Sequence, residues 1–252
     1  MKECAFCLQS AKLSGEHIFS DWMNDALPPA RGDGKWTGIF TRSGDASNHW
    51  KSAHLNWKTK VVCEKCNNGW MHEIEDNHAI PVMSPLIAGK VGIPINQSAA
   101  RSIAIFAFKT AVIIDLLRHD GKEPFFSRRL RADFRKHLAI PSMVNMWLCA
   151  YAPRKVRRAD VFAAYYSAEI PLMDKVQLYV CTYGIGKLAF QILAVKTFSS
   201  RFIFKVSGFE ELSVPFWPEI EPGFVWPQPF GLRSVEEFTQ YHRRWENLTP
   251  LI

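Results

Sequence analysis

The chain has 252 residues and a mass of 28.8 kDa, with 48% hydrophobic, 13% aromatic and 22% charged residues, a composition that excludes intrinsic disorder and suits one large domain or two small ones. Lys and Arg exceed Asp and Glu by 31 to 24, and the resulting net charge of +7 favours polyanionic partners. The most apolar stretch, residues 102–117, is broken by Lys109 and Asp115 and falls short of the roughly 18–20 clean residues of a membrane span.

Residues 1–17 carry neither the apolar core nor the small-residue cleavage site of an export signal, so a cytoplasmic protein is expected. Residues 19–27 predict a short helix stopped by Pro28 and Pro29, and 35–42 and 57–62 predict strands. Asn67 and Asn68 stand where a helix begins, with Trp70, Met71 and Ile74 at helical spacing behind them. The Pro/Gly-punctuated segment 81–94 then divides the chain into domains 1–80 and 81–252. The first has so little apolar periodicity that a structural metal is expected to supplement its core.

Residues 97–118 predict a central, largely buried helix, and 126–138 an amphipathic one with Leu130, Phe134 and Leu138 on one face. Afterwards the period changes to two: 144–151, 160–166, 176–183, 187–195 and 201–206 predict strands. Gly184-Ile-Gly186 joins two of them as a hairpin turn and opens no helix, which excludes a phosphate loop. The expected fold class is α+β, a metal-stapled N-terminal domain followed by helices on an antiparallel sheet.

Cys4-Ala-Phe-Cys7 and Cys63-Glu-Lys-Cys66 are two C-x-x-C pairs with 55 residues between them. Each can form a tight turn aiming two sulfurs at one point, and four thiolates suit tetrahedral Zn2+. Such a closed site is a structural staple. A thioredoxin-like redox reading needs a βαβ context that neither pair has, and a disulfide framework is out of keeping with a chain that is not exported. Four thiolates (−4) and one Zn2+ (+2) would lower the net charge by 2, from +7 to +5, so the cationic bias survives. Cys149 and Cys181 lie in apolar strands and read as core thiols.

Ser14-Gly-Glu-His17-Ile-Phe-Ser-Asp-Trp22 follows the first pair, and Asn67-Asn68-Gly69-Trp70-Met71 follows Cys66 directly. This order, C-x-x-C, E-H, C-x-x-C-N and a helix, resembles the HNH nucleases over about residues 4–76 and leaves 81–252 uncovered. The resemblance implies a zinc-bound ββα-metal domain that hydrolyses phosphodiester bonds of DNA, most simply double-stranded DNA, and leaves a 5′-phosphate. By the same resemblance Glu16 and Asn67 hold a catalytic Mg2+ or Mn2+, His17 is the general base, and a middle Asn orients it. Asn56 is the candidate for that Asn, with Asn48 and His54 as competitors, and Asn68 competes with Asn67 for the metal. Ser20 departs from the Pro common in the family, a change expected to alter only the turn.

The chemistry has its own logic. A carboxylate and an amide oxygen suit a hard dication, and an imidazole can take a proton from water near neutral pH. Adjacent strand residues point to opposite faces, so Glu16 and His17 share a site only if the strand bends there.

Arg128, Arg129, Arg131, Arg135 and Lys136, with Arg154, Lys155, Arg157 and Arg158, can grip nucleic-acid phosphates or simply form a solvated face. His72 reads as a surface residue and Trp22 and Trp70 as packing. The Trp/Pro-rich tail either pins the C-terminus to the sheet or serves a partner, so the second domain could carry substrate binding, regulation, a protein contact or a homo-oligomer interface. Restriction or phage defence would fit by association only. The competing reading is a non-catalytic zinc module that binds nucleic acid or protein, which has no need of the Glu16-His17 pair.

Overall fold

The computed structural model describes residues 1–27, 35–42, 48–117, 122–154, 157–168, 176–196, 209, 211–218, 223–228 and 230–245. In chain order these form β1 (Lys2–Glu3), β2 (Ser10–Ala11), β3 (Leu13–His17), α1 (Met23–Ala26), β4 (Trp36–Arg42), β5 (Asn48–Ser52) and β6 (Lys58–Cys63). A kinked helical run over 64–87, α2, follows; it contains two π-helical segments, Asn67–Met71 and Glu75–Ala79, and leaves helical geometry at Gly69. Then come β7 (Ile93–Ile95), α3 (Gln97–Asp115), α4 (Arg128–His137), β8 (Val144–Tyr151), β9 (Ala159–Ala168), β10 (Val176–Ile185) and β11 (Leu188–Lys196). The chain closes with β12 (Ser213–Trp217), β13 (Phe224–Trp226), β14 (Gly231–Leu232) and α5 (Val235–Arg243). The strand expected at 201–206 lies outside the described residues.

The architecture is α+β, built on an eight-stranded sheet in the order β12-β8-β11-β10-β9-β4-β5, with β14 also on β8. The sheet is mixed: β4 runs parallel to β9 and β14 parallel to β8, where a wholly antiparallel sheet was expected. The expected glycine turn is present, with Gly186 at φ +58 between the paired ends Ile185 and Leu188.

Period two sorts the strands' side chains between two packed faces. Tyr179, Cys181 and Tyr183 of β10 join the cluster containing α3, whereas Val176, Leu178 and Val180 pack with Trp245. With both faces covered, the central strands carry few polar interruptions. Burial pushes the Cys181 thiol up to about 12, as befits a core thiol.

α3 is capped by Asn96, whose side chain accepts from Ala99 N, and every residue from Ile103 to Asp115 is buried. It is the one helix, among the described residues, long and apolar enough to cross a bilayer, and 72% of its apolar window is buried inside the protein. That is a core helix. Its two ionisable interruptions are both satisfied. Asp115 accepts from Phe125 N at 3.0 Å, Phe126 N at 2.9 Å and Tyr165 Oη at 3.0 Å; Lys109 belongs to the site described below.

The expected division near residue 80 runs through a continuous core, since one hydrophobic cluster includes Phe6, Phe19, Trp36, Met71, Phe108 and Tyr179. Hairpin β4–β5 from the first part extends the sheet of the second, and Asp160 fastens it by accepting from Ile39 N at 3.0 Å, Tyr151 Oη at 2.7 Å and Arg158 Nε at 2.7 Å. Gly38 permits the approach: a Cβ there would lie 1.7 Å from the Ala159 carbonyl oxygen.

α5 covers the far face through a buried polar network. His242 Nδ1 lies 2.9 Å from Thr182 Oγ1, Gln191 Nε2 donates to the same hydroxyl at 3.0 Å, and Arg244 Nε donates to Gln191 Oε1 at 2.7 Å. Burial, reinforced by nearby Arg243, pushes the His242 imidazole down from 6.5 to about 3. The unfolded chain therefore binds the extra proton first. The His242 contribution is complete above pH 6.5 and is lost as the pH falls from 6.5 toward 3, with a slope of up to about 1.4 kcal/mol per pH unit. Urea unfolding at about pH 7 and about pH 5 should register this loss, and His242→Gln should flatten the slope; an unchanged slope in the variant would exclude the residue as its source.

Candidate functional site

The four paired cysteines meet. The first turn is drawn tight by Leu8 N donating to Cys4 O at 3.0 Å, with Leu8 at φ 60, and it backs onto β6 through Ala5 N to Val61 O at 2.9 Å. The sulfurs of Cys4, Cys7, Cys63 and Cys66 all lie within 4.8 Å of one another, with Cys7 and Cys63 3.7 Å apart. Zn–S bonds of about 2.3 Å in a tetrahedron imply sulfur separations of about 3.8 Å, so the set fits a structural metal such as zinc. Burial pushes Cys66 up to about 12. Burial also opposes ionisation of Cys4, yet the backbone N–H groups of Cys7, Phe6 and Cys63 outweigh it and bring that thiol down to about 7.

The order strand, strand, helix is built directly on this cluster. β3 and β6 pair antiparallel from Leu13 opposite Cys63 to His17 opposite Lys58, and α2 leaves β6 at Cys63. The ladder slips by one residue between Ser14 and Glu16, with the extra residue on β6, and both Glu16 and His17 line the cleft described next. Asn67 ties the helix to β3 at that slip, its Nδ2 donating to Ser14 Oγ at 3.2 Å and to Gly15 O at 3.3 Å. Its donors are engaged there, and its Oδ1 is the acceptor half.

A cleft of about 510 Å3 opens between β3 and α2, lined by Glu16, His17, Asp21, Asn67, His72 and Asp76, with Gly15, Trp22, Asn68, Glu75 and Ile80. Of the three candidates for the middle Asn, Asn56 is the one bonded to His17, at 3.1 Å between His17 Nε2 and Asn56 Oδ1. Because Oδ1 can only accept, Nε2 carries the hydrogen and Nδ1 the lone pair. Asn48 and His54 instead line a neighbouring pocket. His72, expected on the surface, is exposed but also lines this cleft, with its Nε2 3.3 Å from Asp76 Oδ2. Trp22 and Trp70 pack edge-to-face, on Phe106 and on Phe6 and Phe134 respectively.

Glu16 is not a free carboxylate. It is 3% exposed, and its Oε1 accepts from Lys109 Nζ at 3.1 Å. The same ammonium donates to Glu75 Oε1 at 2.7 Å, an oxygen that also accepts from Ser20 Oγ. Burial alone would lower Lys109, but Glu16 and Glu75 reverse the effect and hold it above its ordinary value. Sequence reasoning missed this residue as part of the site. The available signal was a lysine inside an otherwise apolar buried helix, a position that demands a counter-charge. Ser20 likewise bonds a carboxylate and does more than shape a turn.

The basic helix α4 divides by role. Arg131, expected among the phosphate contacts, is 6% exposed and donates to the carbonyls of Ala5, at 2.9 Å from Nε, and Phe126. It braces the first cysteine turn instead. Arg128 pairs with Glu3, and Arg129 lies 3.8 Å from Asp133. Arg135 lines a second cleft of about 560 Å3 with Lys12 and Lys65 beside Cys7 and Cys63, and Lys136 is exposed. Arg157 donates to Asn24 O and Leu27 O, and Arg158 to Asp160, so both are structural. Comparison with protein-family models, curated proteins and solved structures finds no match.

Two outcomes follow from this geometry. Purified protein should contain about one zinc per chain, and Cys63→Ser should lose the metal and lower the melting temperature; zinc-free wild type would refute the assignment. Lys109→Met strands two carboxylates and should destabilise by about 3–5 kcal/mol in urea titrations, with Lys109→Met/Glu16→Gln recovering part of the loss. A single variant as stable as wild type would refute the pairing.

Proposed function

We propose that the chain is an HNH-type endonuclease that hydrolyses phosphodiester bonds in DNA. The observation that carries this reading is the contact of Asn56 with His17 at 3.1 Å, where His17 lines a cleft together with Glu16 and Asn67, and Asn67 directly follows Cys66 of the four-cysteine cluster. Asn56 fixes the tautomer and ring orientation of His17. Its Nδ1 can then take a proton from water as that water attacks phosphorus in line with the departing oxygen.

The cleft needs added positive charge to accept a phosphate. Its lining contains Glu16, Asp21, Glu75 and Asp76, and none of the described lining residues is Lys or Arg. Lys109 supplies one positive charge shared between Glu16 and Glu75, so it offsets only one of their two negative charges. A carboxylate offers about four lone-pair sites, so Lys109 on Oε1 leaves Glu16 capacity for another cation. Mg2+ or Mn2+ held by Glu16 and Asn67 would supply charge against the developing phosphorane and the leaving oxygen.

One observation favours the second reading, a zinc module that only binds nucleic acid or a protein. Glu16 is already paired within the core with Lys109, an ammonium it shares with Glu75. Plasmid nicking with Mg2+ or Mn2+ separates the two. His17→Ala should lose about 10²–10⁴-fold in rate and Asn56→Ala should also slow, with folding checked by zinc content. No nicking by wild type, or equal nicking by His17→Ala, would overturn the endonuclease reading.

A further inference from the structure

Asn56, the partner of His17, also lines a further concavity that the chemistry above does not use. It is a pocket of about 290 Å3 lined by Phe40, Trp50, Leu55 and Trp57, with Asn48, Ser52, His54 and Asn56 supplying polar groups. From these residues we infer a subsite for one unpaired nucleobase next to the scissile phosphate. The inference rests on the endonuclease reading and deepens it: the preferred substrate is DNA with an unstacked base beside the cut, whether single-stranded or locally opened.

The local structure makes the pocket a built feature. Asn48, Trp50 and Ser52 are alternate residues of β5, the edge strand of the sheet among the described residues, so their side chains share one face. Phe40 of β4 is the register partner of Asn48 and stands on that face as well. Trp57 meets Phe40 edge-to-face, with ring centroids 4.6 Å apart and planes at 83°. Trp50 is seated over Gly38, where an added Cβ would come within 2.5 Å of the ring. Both indoles therefore sit against immovable neighbours, which suits a rigid stacking surface.

Trp50 and Trp57 remain half-buried, whereas Trp36, Trp226 and Trp245 are each no more than 1% exposed. Partial burial is shared with Trp22, Trp70, Trp147 and Trp217, and what sets Trp50 and Trp57 apart is that both line this one pocket. An apolar cavity with a few convergent donors and acceptors has the make-up of a ligand site, and its volume lies just under the usual range of about 300–1,000 Å3. It admits one ring system and not a duplex. Aromatic faces capture any base, because every base has a π-face.

Position and charge select a nucleotide over an apolar peptide side chain. Asn56 lines the pocket and is hydrogen-bonded to His17, which lines the cleft, so that one side chain links the two cavities. Exposed Lys58 follows Trp57 and stands opposite His17 in the β3–β6 ladder, and its aliphatic stem passes over Gly15 of the cleft wall. A strand running from cleft to pocket would meet that ammonium with its phosphate while the base turns onto the indoles.

The test compares two fluorescent single strands of equal length, oligothymidylate and an abasic tetrahydrofuran backbone, by anisotropy with zinc-loaded full-length protein in the His17→Ala background. Oligothymidylate should bind about 5- to 150-fold more tightly. Trp50→Ala and Trp57→Ala should each reduce that ratio toward one, and Trp57→Phe, which keeps a ring, should retain most of it. Equal affinities for the two strands, or a ratio that survives both alanine variants, would overturn the subsite. Nicking of plasmid by wild type is measured alongside. Nicking without a base preference removes the subsite and leaves the endonuclease standing, whereas a Trp-dependent base preference without nicking supports the subsite and removes the endonuclease.

Discussion

The ammonium of Lys109 is the constraint on which the candidate site depends. It is 1% exposed and reaches Glu16 on β3 and Glu75 on α2, residues 93 and 34 positions away in sequence. Removing such charges from water costs several kcal/mol per ion, a penalty offset only when geometry and further hydrogen bonds are good. Ser20 adds one of those bonds on Glu75. The demand is directional as well as energetic. Rotating α2 by one residue would swing Glu75 by about 100° and strand the lysine, so the two walls of the cleft are held in one relation to the central core helix. The cysteine cluster fastens one end of the ββα unit, and Lys109 fastens its middle.

What could be read from the sequence was local. Two C-x-x-C pairs specify converging sulfurs by spacing alone, and the structure brings all four within 4.8 Å. The helix expected at 97–118 is Gln97–Asp115, and strands expected at 144–151 and 176–183 are Val144–Tyr151 and Val176–Ile185, because period and capping are properties of neighbouring residues. The contact of His17 with Asn56 involves the residue that the sequence favours for this place, with Asn48 and His54 as competitors.

What could not be read was long-range. Hairpin β4–β5 joins β9 in parallel across more than a hundred residues, and nothing in residues 36–52 announces that partner; β5, with only Trp50 and polar neighbours, did not read as a strand at all. A division near residue 80 looked natural because composition changes there, but composition does not register that Phe6, Met71 and Phe108 share a core. Arg131 shows the same limit. Its place among five basic residues suggests a phosphate grip, while its guanidinium is held by the carbonyls of Ala5 and Phe126. Charge type is visible in a sequence, and partner is not.

The distribution of charge adds a last step. The chain as a whole carries +7, with exposed basic residues such as Lys58 and Lys136, so a polyanion is drawn toward its surface over a distance set by ionic strength. The cleft has the opposite character, with Asp21, Asp76, Glu16 and Glu75 in its walls. If the substrate is a nucleic acid, attraction outside and repulsion inside would be reconciled by a small cation entering the cleft with the phosphate. In the endonuclease reading this couples two kinds of specificity: the surface collects nucleic acid without discrimination, and the acidic cleft admits its backbone only in company with a dication. On that reading Lys109 would set the threshold for the coupling, because its one positive charge, shared between Glu16 and Glu75, offsets one of their two negative charges from within and leaves the other for the bound ion.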